Sequence, residues 1–298
     1  MPDLVYLGFL VLFSIYYFSR KTSLRLEVVC MFVLAVLAPA IMFKDLDNYV
    51  KETEMLYPEL AQLFGKSLVY YFKFLYLLAY PFCYYTFVRY TKPTKLGKYL
   101  FFCFTFFTLG LNQLYLCFGV SFYCLAHSSS NWKYKVIFIA LALFCHISIV
   151  ALFIFDLYEH NKHIAYLCFG AVIVLLWLFQ EQLLMLSILE LDSRIQTYSD
   201  SIEAFAEYNI RNQLYAYVAL ALVCIISRDW KWIIWLVLIM LFSFSIYHQN
   251  SVMVRRFVEL FMMGWIFSYT KVRRCSSKDW ICLLVLLVYC VRNFFDYV

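Results

Sequence analysis

The chain is predicted to be an all-α, polytopic integral membrane bundle of about 10–12 transmembrane helices with no soluble domain. Three observations carry that expectation. Hydrophobic residues make up 65% of the 298 positions and charged residues only 15%, against about 25% charged in ordinary soluble domains. The charges collect in short clusters between apolar runs of near-spanning length. The runs are continuous, with none of the in–out alternation of a membrane barrel.

Taken in order, the expected spans are Leu4–Phe18, Leu26–Phe43, Leu68–Val88, Tyr99–Leu125, Val136–Phe155, Ile164–Phe179, Gln213–Ser227, Trp232–Tyr247, Phe257–Thr270 and Trp280–Phe295. The first run lacks a basic leader and an A-x-A-like cleavage site, so it reads as a span and not as a signal peptide. Gly110-Leu111-Asn112-Gln113 can break the long fourth run, and Cys145-His146-Ile147-Ser148 can divide the fifth. Breaking both raises the count from about ten to about twelve without changing the side of anything downstream. The double break also moves Lys133 and Lys135 to the cytoplasm. Both versions stand at the level of the sequence.

Lys and Arg set the orientation. Arg20, Lys21 and Arg25 share one turn, and Arg89, Lys92, Lys95 and Lys98 another. Arg228 with Lys231, and Lys271, Arg273 and Arg274 with Lys278, mark two more. The positive-inside rule assigns these turns to the cytoplasm. One transmembrane domain, residues 1–298, is expected, with external segments at 44–67, 181–212 and 248–256. No polar stretch is long enough for a separate soluble domain.

The net charge of +6 follows from those cytoplasmic clusters and does not call for nucleic acid as a partner. Ten of the 11 cysteines lie in or beside apolar runs, Cys275 being the exception, and act there as small hydrophobes. No CxxC or Cys/His ligand spacing occurs, and no metal or cofactor is expected. Asp156, Glu159, His160 and His163 superficially resemble a ligand set, but a short interhelical turn rarely builds one. P-loops, dinucleotide-binding glycines, nucleophile elbows and HExxH are absent from the sequence.

The candidate chemistry lies in a few polar groups. Arg255-Arg256 follows His248-Gln249-Asn250 and opens the run Phe257–Thr270. Guanidinium groups on the outer side grip phosphate or diphosphate by forked, charge-assisted bonds. They can equally snorkel to lipid headgroups or pair with Glu259. His146 sits in an otherwise apolar stretch beside Ser148. Its imidazole can act as a general base toward a hydroxyl, or it can tie two helices together as a hydrogen-bonded core histidine. The outer segments carry acidic and aromatic residues, among them Asp45, Asp47, Tyr49 and Tyr198, which suit a hydroxyl-rich ligand. A solvated acidic loop explains the same composition. Arg194 and Arg211 are candidate phosphate contacts or plain surface charges.

The order of these residues resembles the EpsG-type members of the Wzy polysaccharide polymerases, which act in O-antigen and exopolysaccharide synthesis in bacterial inner membranes. Asp45-Leu46-Asp47-Asn48-Tyr49 is similar to the family's D-x-x-x-Y segment. Leu111-Asn112-Gln113-Leu114 stands at the place of an R-Q element. Ala142-Leu143-Phe144-Cys145-His146-Ile147-Ser148 resembles an A-x-x-F-H-x-S stretch. Tyr198 falls in the expected external loop, and Arg255 or Arg256 resembles the late arginine that opens a helix. Asn112 departs from the arginine expected before Gln113, so that a cationic contact is either missing or supplied by Arg194, Arg211 or Lys44.

The resemblance implies a metal-independent membrane glycosyltransferase of the inner membrane, multi-pass, with its active site toward the periplasm or exterior. It implies transfer of a glycan from undecaprenyl diphosphate to a sugar hydroxyl of the next lipid-linked repeat unit. His146, Arg255, Arg256, Asp45 and Asp47 are the implied catalytic residues; Tyr49, Gln113, Tyr198, Arg194 and Arg211 the implied substrate contacts. Undecaprenyl-diphosphate-linked oligosaccharide and membrane lipids are the implied partners, with a chain-length regulator as a further candidate. The competing readings are a flippase or transporter of lipid-linked oligosaccharide and a membrane glycan acyltransferase.

Overall fold

In the computed structural model the described residues are 23–37, 58–65, 67–104, 114–146 and 149–178. Shorter pieces at 11–15, 217–219, 221–226, 233–235 and 280–282 join them, with single positions such as Gly8, Leu46, Ile266 and Phe267. All their regular structure is helical. Two compact units divide the chain. The first holds residues 1–149, 266–273 and 290–298; the second holds 150–265 and 274–289.

The first unit is built from helices α1 (Leu24–Leu37), α2 (Pro58–Phe64), α3 (Ser67–Thr91), α4 (Lys95–Phe104), α5 (Leu114–Ser128) and α6 (Trp132–Cys145). Their starts and stops follow local chemistry. Ser23 Oγ accepts the Leu26 N–H at 3.3 Å to open α1. Pro58, whose ring presets a helical φ, begins α2, and Gly65 ends it in the left-handed region at φ +48. The turn Lys92-Pro93-Thr94 reverses the chain between α3 and α4. Thr94 Oγ1 accepts the Gly97 N–H at 3.1 Å and caps α4. Asn131 caps α6 by accepting from Lys133 N at 3.0 Å. An Asn131→Ala variant should lose about 1 kcal/mol, read as a lower thermal midpoint of the purified protein in detergent.

Packing order follows from the aromatic contacts. Phe82 of α3 meets both Phe118 and Phe122 of α5, at 6.4 and 6.3 Å between ring centroids. Further along, Phe87 of α3 and Tyr123 of α5 both meet Phe267, at 5.2 and 5.5 Å. Residue numbers rise together on the two helices, so α3 and α5 run parallel. Phe101 of α4 stacks on Phe87 at 3.7 Å with planes 5° apart, which ties α4 to the same cluster. The edge-to-face pairs, Phe82 with Phe122 and Phe267 with Phe87 and Tyr123, contribute about 0.5–1.5 kcal/mol each beyond the area they bury.

Helices α5 and α6 form an antiparallel hairpin. Phe122 faces Phe138 at 6.4 Å, and Gly119, three residues earlier, faces Ala142, four residues later. The second unit contains a similar pair, α7 (Val150–His160) and α8 (Lys162–Leu178). Asn161 joins them, and its Oδ1 accepts from His163 N at 3.1 Å and Ile164 N at 3.3 Å. Tyr166 and Phe169 of α8 enclose the buried Trp235 at 5.4 and 5.2 Å.

Helices α1, α3, α5, α6 and α8 fall largely within expected spans, α2 lies in the expected external segment 44–67, α4 and α7 extend beyond their runs, and the fifth expected run is divided at His146. Among the described residues no helix is both long and apolar enough to cross a membrane. Only α3, at 25 residues, exceeds 17 among the described helices, and its many tyrosines lower its mean hydropathy. A 14-residue helix such as α6 is about 21 Å long, short of a hydrocarbon core about 30 Å thick. Cys30, Cys83, Cys117, Cys124, Cys145, Cys168, Cys224 and Cys282 are free thiols.

Candidate functional site: the helix break at His146 and a buried ion pair

Of the residues singled out by sequence, His146 is described. Asp45, Asp47, Tyr49, Gln113, Arg194, Tyr198, Arg211, Arg255 and Arg256 lie outside the described residues, as does Asn112. His146 ends α6. Its backbone leaves the helix for an extended conformation, φ −161 and ψ 115, while its N–H still donates to Ala142 O at 3.1 Å. Its own carbonyl accepts from Ile149 N at 3.1 Å. Both backbone groups of His146 are thus satisfied within the first unit. The side chain is half-buried. A histidine at such a break keeps both backbone groups hydrogen-bonded, as a continuous helix would.

The hairpin decides where that break lies. Ser129 N bonds back to Leu125 O at 3.1 Å and Ser129 Oγ donates to Asn131 O at 3.2 Å, closing the turn that leads to Lys133 and Lys135. His146 stands at the other end of α6, beyond the level of Gly119 and Ala142. Ile149, buried completely, returns to that level.

A second polar group was missed by the sequence reading. Glu27, in the first turn of α1, is 1% exposed. Its Oε2 accepts from the Tyr84 hydroxyl of α3 at 2.9 Å. Lys98 Nζ of α4 lies 3.2 Å from Oε1 and 3.3 Å from Oε2. Three helices therefore converge on one buried carboxylate, and the Thr94-capped turn is what swings Lys98 back toward it. Nearby in sequence, Tyr99 donates to Ser14 Oγ at 2.6 Å. The signal available in sequence was a single acidic residue just inside an apolar run, which is costly unless paired. In the sequence Lys98 is one of four cations in the turn with Arg89, Lys92 and Lys95, and nothing there singles it out.

Around the Asn161 turn, His160 Nδ1 lies 3.0 Å from Asp156 O. His160 and His163 are exposed. Among the described residues no group of three His, Cys, Asp or Glu side chains is placed to hold a metal ion.

Helices joined through a buried carboxylate, with a histidine held at an interhelical break, define a helical protein whose polar chemistry is set inside an apolar framework. The EpsG family's sequence model matches residues 51–298, and the chain belongs to the EpsG family. The match covers His146 and the late arginines, and begins just after the Asp45–Tyr49 segment and well after Glu27. No curated protein and no solved structure matches the chain.

Proposed function

We propose that this EpsG family member is a polytopic membrane glycosyltransferase that polymerises lipid-linked polysaccharide repeat units for exopolysaccharide, O-antigen or capsule synthesis. Family membership over residues 51–298 carries the reading. Large apolar side chains that point outward support its membrane part. Phe144 is 90% and Trp132 70% exposed on α6, and Leu167 is 73% exposed on α8, as suits helices whose outer solvent is lipid.

The parallel course of α3 and α5 supports the version with both runs broken. The turn before Lys133 and Lys135 then shares the cytoplasmic side with Arg89, Lys92, Lys95 and Lys98. His146, at the far end of α6, faces the opposite side, where lipid-linked repeat units would be joined.

In the proposed reaction the acceptor sugar hydroxyl attacks the anomeric carbon of the donor glycan. The bond from that carbon to undecaprenyl diphosphate breaks, and the diphosphate leaves with the electron pair. His146 takes the hydroxyl proton, with Asp45 or Asp47 as the second choice for that role. Arg255 and Arg256 stabilise the charge developing on the diphosphate. Tyr49, Gln113, Tyr198, Arg194 and Arg211 hold glycan and phosphate. No metal enters this scheme.

The test is glycan laddering in a strain deleted for the protein and complemented at matched membrane levels. Deletion should leave a single repeat unit in place of the ladder. Arg255→Ala or Arg256→Ala should lower joining about 10²–10³-fold, the usual cost of removing one stabiliser of developing negative charge. Loss of even the single unit would indicate transport, and an intact ladder would end the polymerase reading.

A further inference from the structure

Gly119 touches both partners of the His146 backbone. A Cβ built on Gly119 would lie 2.8 Å from Ile149 Cγ1, 3.2 Å from Ile149 Cδ1 and 3.3 Å from Ala142 O. Ala142 O is the acceptor of the His146 N–H, and Ile149 N is the donor to the His146 carbonyl. Both neighbours are fully buried. Ile149 is β-branched, so its Cγ1 cannot move without turning a stiff χ1. The bare backbone of α5 at this one position lets α6 and Ile149 close on it, as small residues do where membrane helices approach closely.

We infer that Gly119 is a positioning residue for His146: its missing side chain seats the turn that fixes the histidine at the end of α6. The geometric part stands alone, and the catalytic consequence rests on the polymerase reading above. A methyl group at Gly119 pushes on Ile149 and on the Ala142 carbonyl together. Both hydrogen bonds that hold His146 are then loaded, while His146 itself is unchanged.

The experiment combines amide hydrogen exchange of the peptide spanning residues 143–150, in detergent-solubilised full-length protein, with repeat-unit joining in cells. Gly119→Ala should raise exchange in that peptide and lower joining at least tenfold. Adding Ile149→Ala, which removes both crowded carbons, should restore both readouts toward the wild type. In a His146→Ala background Gly119→Ala should lower joining no further, because it acts through that side chain. Unchanged exchange in Gly119→Ala overturns the inference, as does an equal additional loss of joining in the His146→Ala background. Should Gly119→Ala fail to accumulate, recovery by Ile149→Ala supports the crowding argument and failure to recover overturns it. Normal joining in His146→Ala would remove the histidine from the chemistry, and exchange would still decide whether Gly119 seats the turn.

Discussion

A strain carrying His146→Ala should lose its glycan ladder and retain a single repeat unit, with joining lowered about 10²–10⁴-fold, the usual contribution of a positioned general base. The expectation rests on where the histidine stands. It occupies the end of α6, with its N–H on Ala142 O and its carbonyl on Ile149 N, so the ring is carried by a fixed backbone. Backbone order of this kind is what lets a base meet a hydroxyl in a productive geometry. His146→Gln tests the chemistry more narrowly than alanine. Glutamine can still hydrogen-bond but cannot accept the proton at neutral pH, so it should be about as inactive as alanine. Ile137→Ala, on the exposed face of the same helix, should join repeat units at the wild-type rate. If His146→Gln retains full laddering, the ring serves packing or hydrogen bonding and another group is the base.

The second large effect concerns stability and not turnover. Lys98→Met should destabilise the first unit by about 3 kcal/mol or more, because it removes the cation 3.2 Å from the buried Glu27 carboxylate. Glu27→Gln should cost less. Lys98 is 21% exposed where Glu27 is 1% exposed, so the freed ammonium reaches a polar environment more easily than the freed carboxylate does. The double variant Glu27→Gln with Lys98→Met should recover part of the loss, since it buries no unpaired charge. Thermal midpoints of the purified protein in one detergent would rank the three. Equal midpoints for Lys98→Met and the wild type would show that the ammonium–carboxylate contact is dispensable to the first unit.

The helix break at His146 is legible in the chain because its signals are local. An ionisable residue in an apolar run and a His-Ile-Ser sequence beside it mark both a candidate base and a candidate break, and α6 does end there. The apolar neighbours of the cysteines mark them as small hydrophobes, and those among the described residues are free thiols. Glu27 gives little signal in the sequence, because it stands two residues from Arg25 at the edge of a run, where a carboxylate looks like part of a charged turn. Nothing within the run reveals a partner 71 residues away.

Helical class, the places where helices start and stop, and the family pattern depend on apolar run length, capping side chains and residue order, all of which are properties of neighbours in the chain. Which helices lie side by side is a different kind of fact. The parallel course of α3 and α5, the closure of Lys98 on Glu27 and the seat that Gly119 makes for the His146 turn arise from long-range packing. An apolar face can be covered by many partners of similar hydrophobic value. Choosing among them takes the shape match of particular side chains, and that match exists only once the helices have met.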